Sequence, residues 1–217
     1  MNALARSGVI LVGGRSSRMG QPKAGLAVGD RPMLRRVADA LRTECGDIIL
    51  VAAPGDEDAE RWRALAGPGP TTIAHDAEAF RGPLAGLATG LRAARGTTTV
   101  AVSCDLPFLL PELVGFLFRT LEEASEIDAL VPQAGGHLQP LVAAYRSRAM
   151  ATRFADALES GNHSPTQALE TARLRVLSEA DVRRIDPQLR SFTNINTEVD
   201  LKRARSRRRD LRGLSLQ

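Results

Sequence analysis

The segment GVILVGGRSSRMGQPK, residues 8–23, decides how the rest of the chain is read. Val9, Ile10, Leu11 and Val12 form an apolar run with no polar alternation, the pattern of a strand covered on both faces. The run stops at Gly13 and Gly14, and Ser16, Ser17, Arg18 and Lys23 follow. A glycine pair at a strand end admits positive φ and lets a ligand approach the main-chain N–H groups. Hydroxyls, a guanidinium fork and an ammonium placed straight after it suit a polyphosphate. Two familiar phosphate loops are excluded by spacing. A G-x-x-x-x-G-K-[ST] loop fails because Lys23 does not follow Gly20 directly, and a G-x-G-x-x-G fingerprint is absent. The glycines alone would also suit an ordinary turn with solvated arginines.

Working outward, DIILVAA (47–53), TTIAHD (71–76) and TTVAVSCD within 97–105 have the same strand character. Between them, MLRRVADALRTE (33–44) sets Leu34, Val37, Ala38 and Leu41 on one helical face. PLAGLATGLRAA (83–94) does the same with Leu84, Leu87 and Leu91. Alternation of this kind predicts an α/β fold, a doubly wound, mostly parallel sheet with right-handed crossovers. Ligands of such sheets bind beyond the carboxyl ends of the strands. Downstream, the pattern predicts a helix over about 111–124, strands DALVPQ (128–133) and LQPLVAAYR (138–146), and a helix over 147–159. A short helix starts within SPTQALE (164–170), with Ser164 as its cap and Pro165 in first position. FTNINT (192–197) reads as a final strand, and Thr197 with Asp200 as a capping-box-like start to the last helix. There is no internal repeat, and AGPGPTT (66–72) is only a loop. The expected organisation is one domain over 1–202 and a basic tail over 203–217.

The 217 residues, 43% apolar and 25% charged, are those of a globular protein with room for a proper core. No stretch approaches the ~20 apolar residues of a membrane span. MNALARSG is too short a leader for secretion, so the expected location is cytoplasmic. Cys45 and Cys104 are too few for a disulfide framework and lack metal spacing. The net charge of +4 misleads, because KRARSRRRDLR (202–212) holds seven basic residues and one acid. Removing it from the chain's 29 basic and 25 acidic residues leaves 22 and 24. Such a run suits nucleic acid or an anionic surface. A solvated, frayed helix end accounts for it as well, and nucleic acid is not the expected partner.

The pattern L-x-G-G-x-S-x-R-M-G-x-x-K falls here on Leu11, Gly13, Gly14, Ser16, Arg18, Met19, Gly20 and Lys23. It resembles the signature loop of NTP transferases, and more closely that of the molybdenum cofactor guanylyltransferases, the MobA family. GPLAGLATGL (82–91), SCDLPFL (103–109), LQPLVAAYR (138–146) and NINTEVDL (194–201) extend the resemblance in order along the chain. It implies a Rossmann-like fold of the nucleotide-diphospho-sugar transferase type, in three α/β/α layers. The implied reaction joins GMP from GTP to the terminal phosphate of molybdopterin, with Mg²⁺, and releases pyrophosphate. GTP and molybdopterin are then the substrates, and a molybdenum-insertion protein or apoenzyme chaperone is the implied downstream partner. The glycine pair suits a purine, whereas related pyrimidine transferases more often carry Ala-Ala-Gly.

The resemblance assigns catalytic roles to Arg18, Lys23 and Asp105. It assigns nucleotide binding to Leu11, Val12, Gly13, Gly14, Lys23, Asp76 and Asp105. Asp105 closes a strand beside the phosphate loop, where magnesium commonly takes one or two protein carboxylates. A helix-capping or turn Asp is the plainer alternative. Asn196, or else Asn194, would add a neutral oxygen to that metal site, with local turn bonding as the rival. Asp76 would accept from ribose or guanine, or simply cap the segment after it. Ala52 and Ala53 stand where the family often has a polar residue near the base, and Val12 where it usually has Ala. Gly135, Gly136 and Gln139 suit either a pterin pocket or a hairpin turn. His75, His137 and His163 are read as structural or surface residues, Trp62 as packing, and Cys104 as a small buried apolar residue. The alternatives are a cytidylyl- or sugar-phosphate nucleotidyltransferase on the same fold, or a non-catalytic binding module.

Overall fold

The computed structural model describes residues 6–12, 23–56, 58–76 and 82–203. The first strand, β1 (Arg6–Leu11), is buried throughout and lies in the interior of an eight-stranded sheet. A two-stranded ribbon, β2 (Ala27–Val28) and β3 (Arg31–Pro32), leads into helix α1 (Met33–Arg42). The chain continues through β4 (Asp47–Ala52), α2 (Ala59–Ala66), β5 (Thr71–His75), α3 (Pro83–Ala93), β6 (Thr98–Ser103) and α4 (Pro111–Glu123). It then forms β7 (Ala129–Ala134), β8 (His137–Leu138), β9 (Val142–Arg146), α5 (Ser147–Glu159), α6 (Pro165–Leu169), β10 (Leu174–Leu177) and α7 (Glu179–Arg183). The sheet order is β10-β7-β9-β6-β1-β4-β5, with β8 paired to β7. β6, β1, β4 and β5 pair in parallel, as do β10 and β7, and β9 runs against both its neighbours.

Alternation along each strand builds the two covering layers. Ile10, Ile48, Leu50, Val100, Val102 and Leu130 point into one apolar core, shared with α1, α2 and α4. Val9, Ile49, Val51, Ala101 and Val131 point into the other, shared with α3, α5 and α6. This is the expected three-layer α/β/α architecture with a mostly parallel sheet. Trp62 is 3% exposed within the first core, and its Nε1 donates to Asp56 Oδ2 at 3.0 Å, so it packs as expected.

The small residues in α3 let it lie close against the sheet. A Cβ built on Gly90 would collide with Val9 Cγ1 and sit 3.0 Å from Val51 Cγ2. Overpacking of this kind costs about 1–3 kcal/mol. The helix-propensity gain from Gly to Ala offsets at most about 1 kcal/mol of it. Gly90→Ala is therefore expected to lower the urea midpoint with little change in slope; a raised midpoint would contradict this packing.

Two expected strands are corrected. Residues 192–197 form no strand: Arg190–Phe192 is a 3-10 turn, and the chain beyond it is irregular. The reason lies in where its N–H groups go. Ile195 N donates to the Asp105 carbonyl at 2.9 Å, while Asn196 N and Thr197 N both donate to Asp200 Oδ2. Phe192 N and Thr193 N are spent within the turn, on the Leu189 and Arg190 carbonyls, so five of the six donors are taken before any ladder could form. The single strand expected over 138–146 is broken, because Pro140 has no N–H to give and Gln139–Leu141 turns instead. Gly135 and Gly136, both at positive φ, make the two-residue turn between β7 and β8, the hairpin alternative. β10 and α7 carry weak apolar signals, LRVL and EADVR, and were not expected. Ser164 does cap α6, accepting from Gln167 N at 3.4 Å. Among the described residues, no helix is long and apolar enough to cross a membrane.

Candidate active site

The strand order has one switch point. From β1 the chain moves outward through β4 to the β5 edge, then returns to lay β6 on the opposite side of β1. A crevice therefore opens between the carboxyl ends of β1 and β6, the place where such sheets bind ligands. Leu11 and Val12 form one lip: the Leu11 carbonyl accepts from Cys104 N at 3.1 Å, and Val12 N donates to the Val51 carbonyl at 3.0 Å. Asp105 follows on the other lip, two residues beyond β6. Gly13, Gly14 and Arg18, with the rest of residues 13–22, lie outside the described residues.

Lys23 re-enters at this rim in a 3-10 turn, Lys23–Gly25. Its Nζ donates to Asn196 Oδ1 at 2.6 Å and lies 3.6 Å from Asp105 Oδ2. The Lys23 and Asp105 side chains are 24% and 15% exposed, so the pair is sheltered without being sealed. Three segments far apart in sequence thus meet at one point. What gathers them is a small third apolar cluster, distinct from the two main cores. Val28, Met33, Ile195 and Leu201 are buried in it, with Leu26 and Phe108 packed against it. Those residues belong to the stretches that carry Lys23, Asp105 and Asn196, so packing beneath sets the polar contacts above. A second tie is the bond from Ile195 N to the Asp105 carbonyl.

A carboxylate oxygen and an amide oxygen converge here on a single ammonium, leaving one cationic position between two hard donors. This donor set fits magnesium, which often takes one or two protein oxygens and completes its shell with phosphates and water. Among the described residues no group of three or more His, Cys, Asp and Glu is placed to hold a metal. The arrangement therefore suits an ion shared with a polyphosphate better than a closed protein cage. Cys104 is buried as expected, and burial, then the adjacent Asp105 carboxylate, pushes its thiol up to about 12.

Asp76 follows β5 on the same rim, its N–H bonded to the Ala52 carbonyl at 3.0 Å. Its Oδ1 accepts from Thr89 Oγ1 on α3 at 3.0 Å, a partner that sequence reasoning missed. α3 itself is capped at Gly82, so Asp76 is not that helix's cap. At the end of β4, Ala53 offers only its carbonyl, which accepts from Asp56 N at 3.2 Å and lies 3.4 Å from His75 Nδ1. His75, His137 and His163 are all exposed. Asn194 is exposed too, and of the two asparagines it is Asn196 that bonds Lys23. Asp200 is the third-position partner of the Thr197 cap, as expected, and its bonds to the Asn196–Thr197 backbone also bring it into the site's support.

The family model described as MobA-like NTP transferase domain matches residues 8–176. A probable molybdenum cofactor guanylyltransferase from Natronomonas pharaonis is 37% identical over 206 residues, covering 93% of this chain and 98% of that protein. Among solved structures, molybdopterin-guanine dinucleotide biosynthesis protein A from Archaeoglobus fulgidus aligns with a TM-score of 0.75 at 27% identity. That alignment covers 92% of this chain and 97% of the other. A 4-diphosphocytidyl-2C-methyl-D-erythritol synthase from Anaerococcus prevotii aligns with a TM-score of 0.71 over 96% of this chain and 100% of the other. At 17% identity it speaks for the fold alone.

Proposed function

The chain belongs to the MobA-like NTP transferase family, and from that footing we propose that it is a guanylyltransferase moving GMP from GTP to molybdopterin. The observation that carries the reading is the meeting of Lys23, Asp105 and Asn196 at the switch point, in a chain whose relatives bear that activity in their names. In the proposed reaction an anionic phosphate oxygen of the pterin attacks the α-phosphorus of GTP. The new P–O bond forms as the bond to the bridging oxygen breaks, and pyrophosphate departs with the electron pair. The nucleophile is already ionised, so no general base is needed. The work of the protein is to place the reactants and to neutralise charge.

Lys23 binds the triphosphate and offsets the charge that builds on the leaving pyrophosphate, with Arg18 assisting. Leu11, Val12, Gly13 and Gly14 cradle the nucleotide through their backbone, and Asp76, steadied by Thr89, accepts from the guanosine. Asp105 and Asn196 would hold magnesium, which when bound supplies positive charge next to the phosphate oxygens. A cytoplasmic location, one catalytic domain over 1–202 and hand-over of the product to an insertion protein or apoenzyme chaperone complete the proposal.

The test is a matrix of nucleotides against acceptors, read as pyrophosphate release with Mg²⁺ present. Release is expected only with GTP and a molybdopterin phosphate together. Preference for CTP or UTP, or for a sugar phosphate, would instead support a different transferase on this fold. Nucleotide binding with no turnover for any acceptor would support a binding module.

A further inference from the structure

We propose that Asp200 is a positioning residue for nucleotidyl transfer: its carboxylate fixes the backbone at Asn196 and Thr197 and so holds the Asn196 amide oxygen against the Lys23 ammonium. The inference rests on the reading that Lys23, Asp105 and Asn196 grip the nucleotide. Asp200 touches none of the reacting groups itself. One of its oxygens, Oδ2, accepts three hydrogen bonds, from Asn196 N at 3.1 Å, Thr197 N at 2.9 Å and Thr197 Oγ1 at 2.9 Å. Asp200 N returns a bond to Thr197 Oγ1 at 3.1 Å, closing a reciprocal capping box. The bond from the Thr197 hydroxyl, then that from Asn196 N, hold the Asp200 carboxyl below its usual range, so it remains ionised around neutral pH.

An ordinary capping box settles a helix start and nothing more. This one sits between two attachments to the site. On its N-terminal side Ile195 N is tied to the Asp105 carbonyl, and in its middle Asn196 Oδ1 receives Lys23 Nζ. On its C-terminal side Leu201 N bonds the Thr197 carbonyl, and the Leu201 side chain is buried with Ile195 beneath the site. Releasing Oδ2 would free two consecutive peptide N–H groups and let the peptide that carries Asn196 rotate. The amide oxygen would then leave the 2.6 Å contact that holds Lys23 in place. Displacements on the order of 1 Å at a reacting site can cost about 10²-fold in rate.

A kinetic double-mutant cycle tests this. Asp200→Ala is expected to lower kcat/KM for GTP by about tenfold or more, with thermal melting confirming a folded protein. Asp200→Asn keeps an acceptor oxygen at the same point and is expected to stay within about threefold of the parent. Asn196→Ala is expected to fall by about as much as Asp200→Ala. In the double variant the two losses should not multiply, because Asp200 acts through Asn196. Full multiplication, or Asp200→Ala within twofold of the parent, overturns the proposal while leaving the reading of the site intact. Asn196→Ala with unchanged GTP kinetics overturns the reading of Asn196 itself. If Asp200→Ala does not fold, Asp200→Ser, too short to reach the peptide N–H groups, takes its place in the cycle with the same criteria.

Discussion

Lys23→Ala is expected to lose about 10²–10³ in kcat/KM for pyrophosphate release from GTP, while melting close to the parent. The ammonium is a partly exposed charge whose bonds run to Asn196 and Asp105, and the packing beneath is supplied by other residues. On the proposed reading, removing it strips the triphosphate of a fixed cation without opening a cavity in either main core. The loss is expected to persist at high Mg²⁺, because a freely exchanging ion does not restore a charge held at a set place. Lys23→Arg is not expected to rescue it, since a planar fork cannot reproduce the point-like 2.6 Å contact with the Asn196 amide. Turnover within tenfold of the parent in Lys23→Ala would remove the lysine from the catalytic set.

Asp105→Asn is expected to cost at least as much, about 10²–10³ in turnover, by a different route. The substitution keeps the size of the side chain, and the bond from Ile195 N runs to the backbone carbonyl, so the link between the two loops survives. Only the negative charge facing the cationic position is lost. Titrating Mn²⁺ in the presence of GTP should therefore report weakened metal binding in parallel with slowed pyrophosphate release. Slowed release with unaltered Mn²⁺ binding would separate Asp105 from the metal, and near-parental release would refute its role altogether.

The central sheet was legible because its strands are covered on both faces. Runs such as GVIL and DIILVA can hardly be read as anything else, and the helices between them carry clear one-sided apolar stripes. Parallel order followed from that alternation. The failures have a common origin. NINT resembles a strand in composition, but three of its four N–H groups, those of Ile195, Asn196 and Thr197, are claimed by the Asp200 carboxylate and by a carbonyl of the Asp105 turn, and sequence periodicity does not register such competition. β10 and α7 are short, with four of their nine residues exposed, so their apolar signal is faint. Within the site, Asp105 and Lys23 could be picked out because each stands beside a recognisable strand end or loop. The contact between Lys23 and Asn196 spans 173 residues and was invisible until the chain was folded. Thr89 was missed for the same reason: one threonine in an apolar helix carries no mark of the carboxylate it meets.

The apolar cluster beneath the site has a consequence for biosynthesis. Every strand of the sheet has been made once the ribosome has passed Leu177, and both main cores are by then almost complete. Ile195 and Leu201 come later, and without them the floor under Lys23 and Asp105 is half built. A nascent chain can thus hold its architecture before residues 195–201 dock, and on the proposed reading of the site competence for transfer would follow that docking.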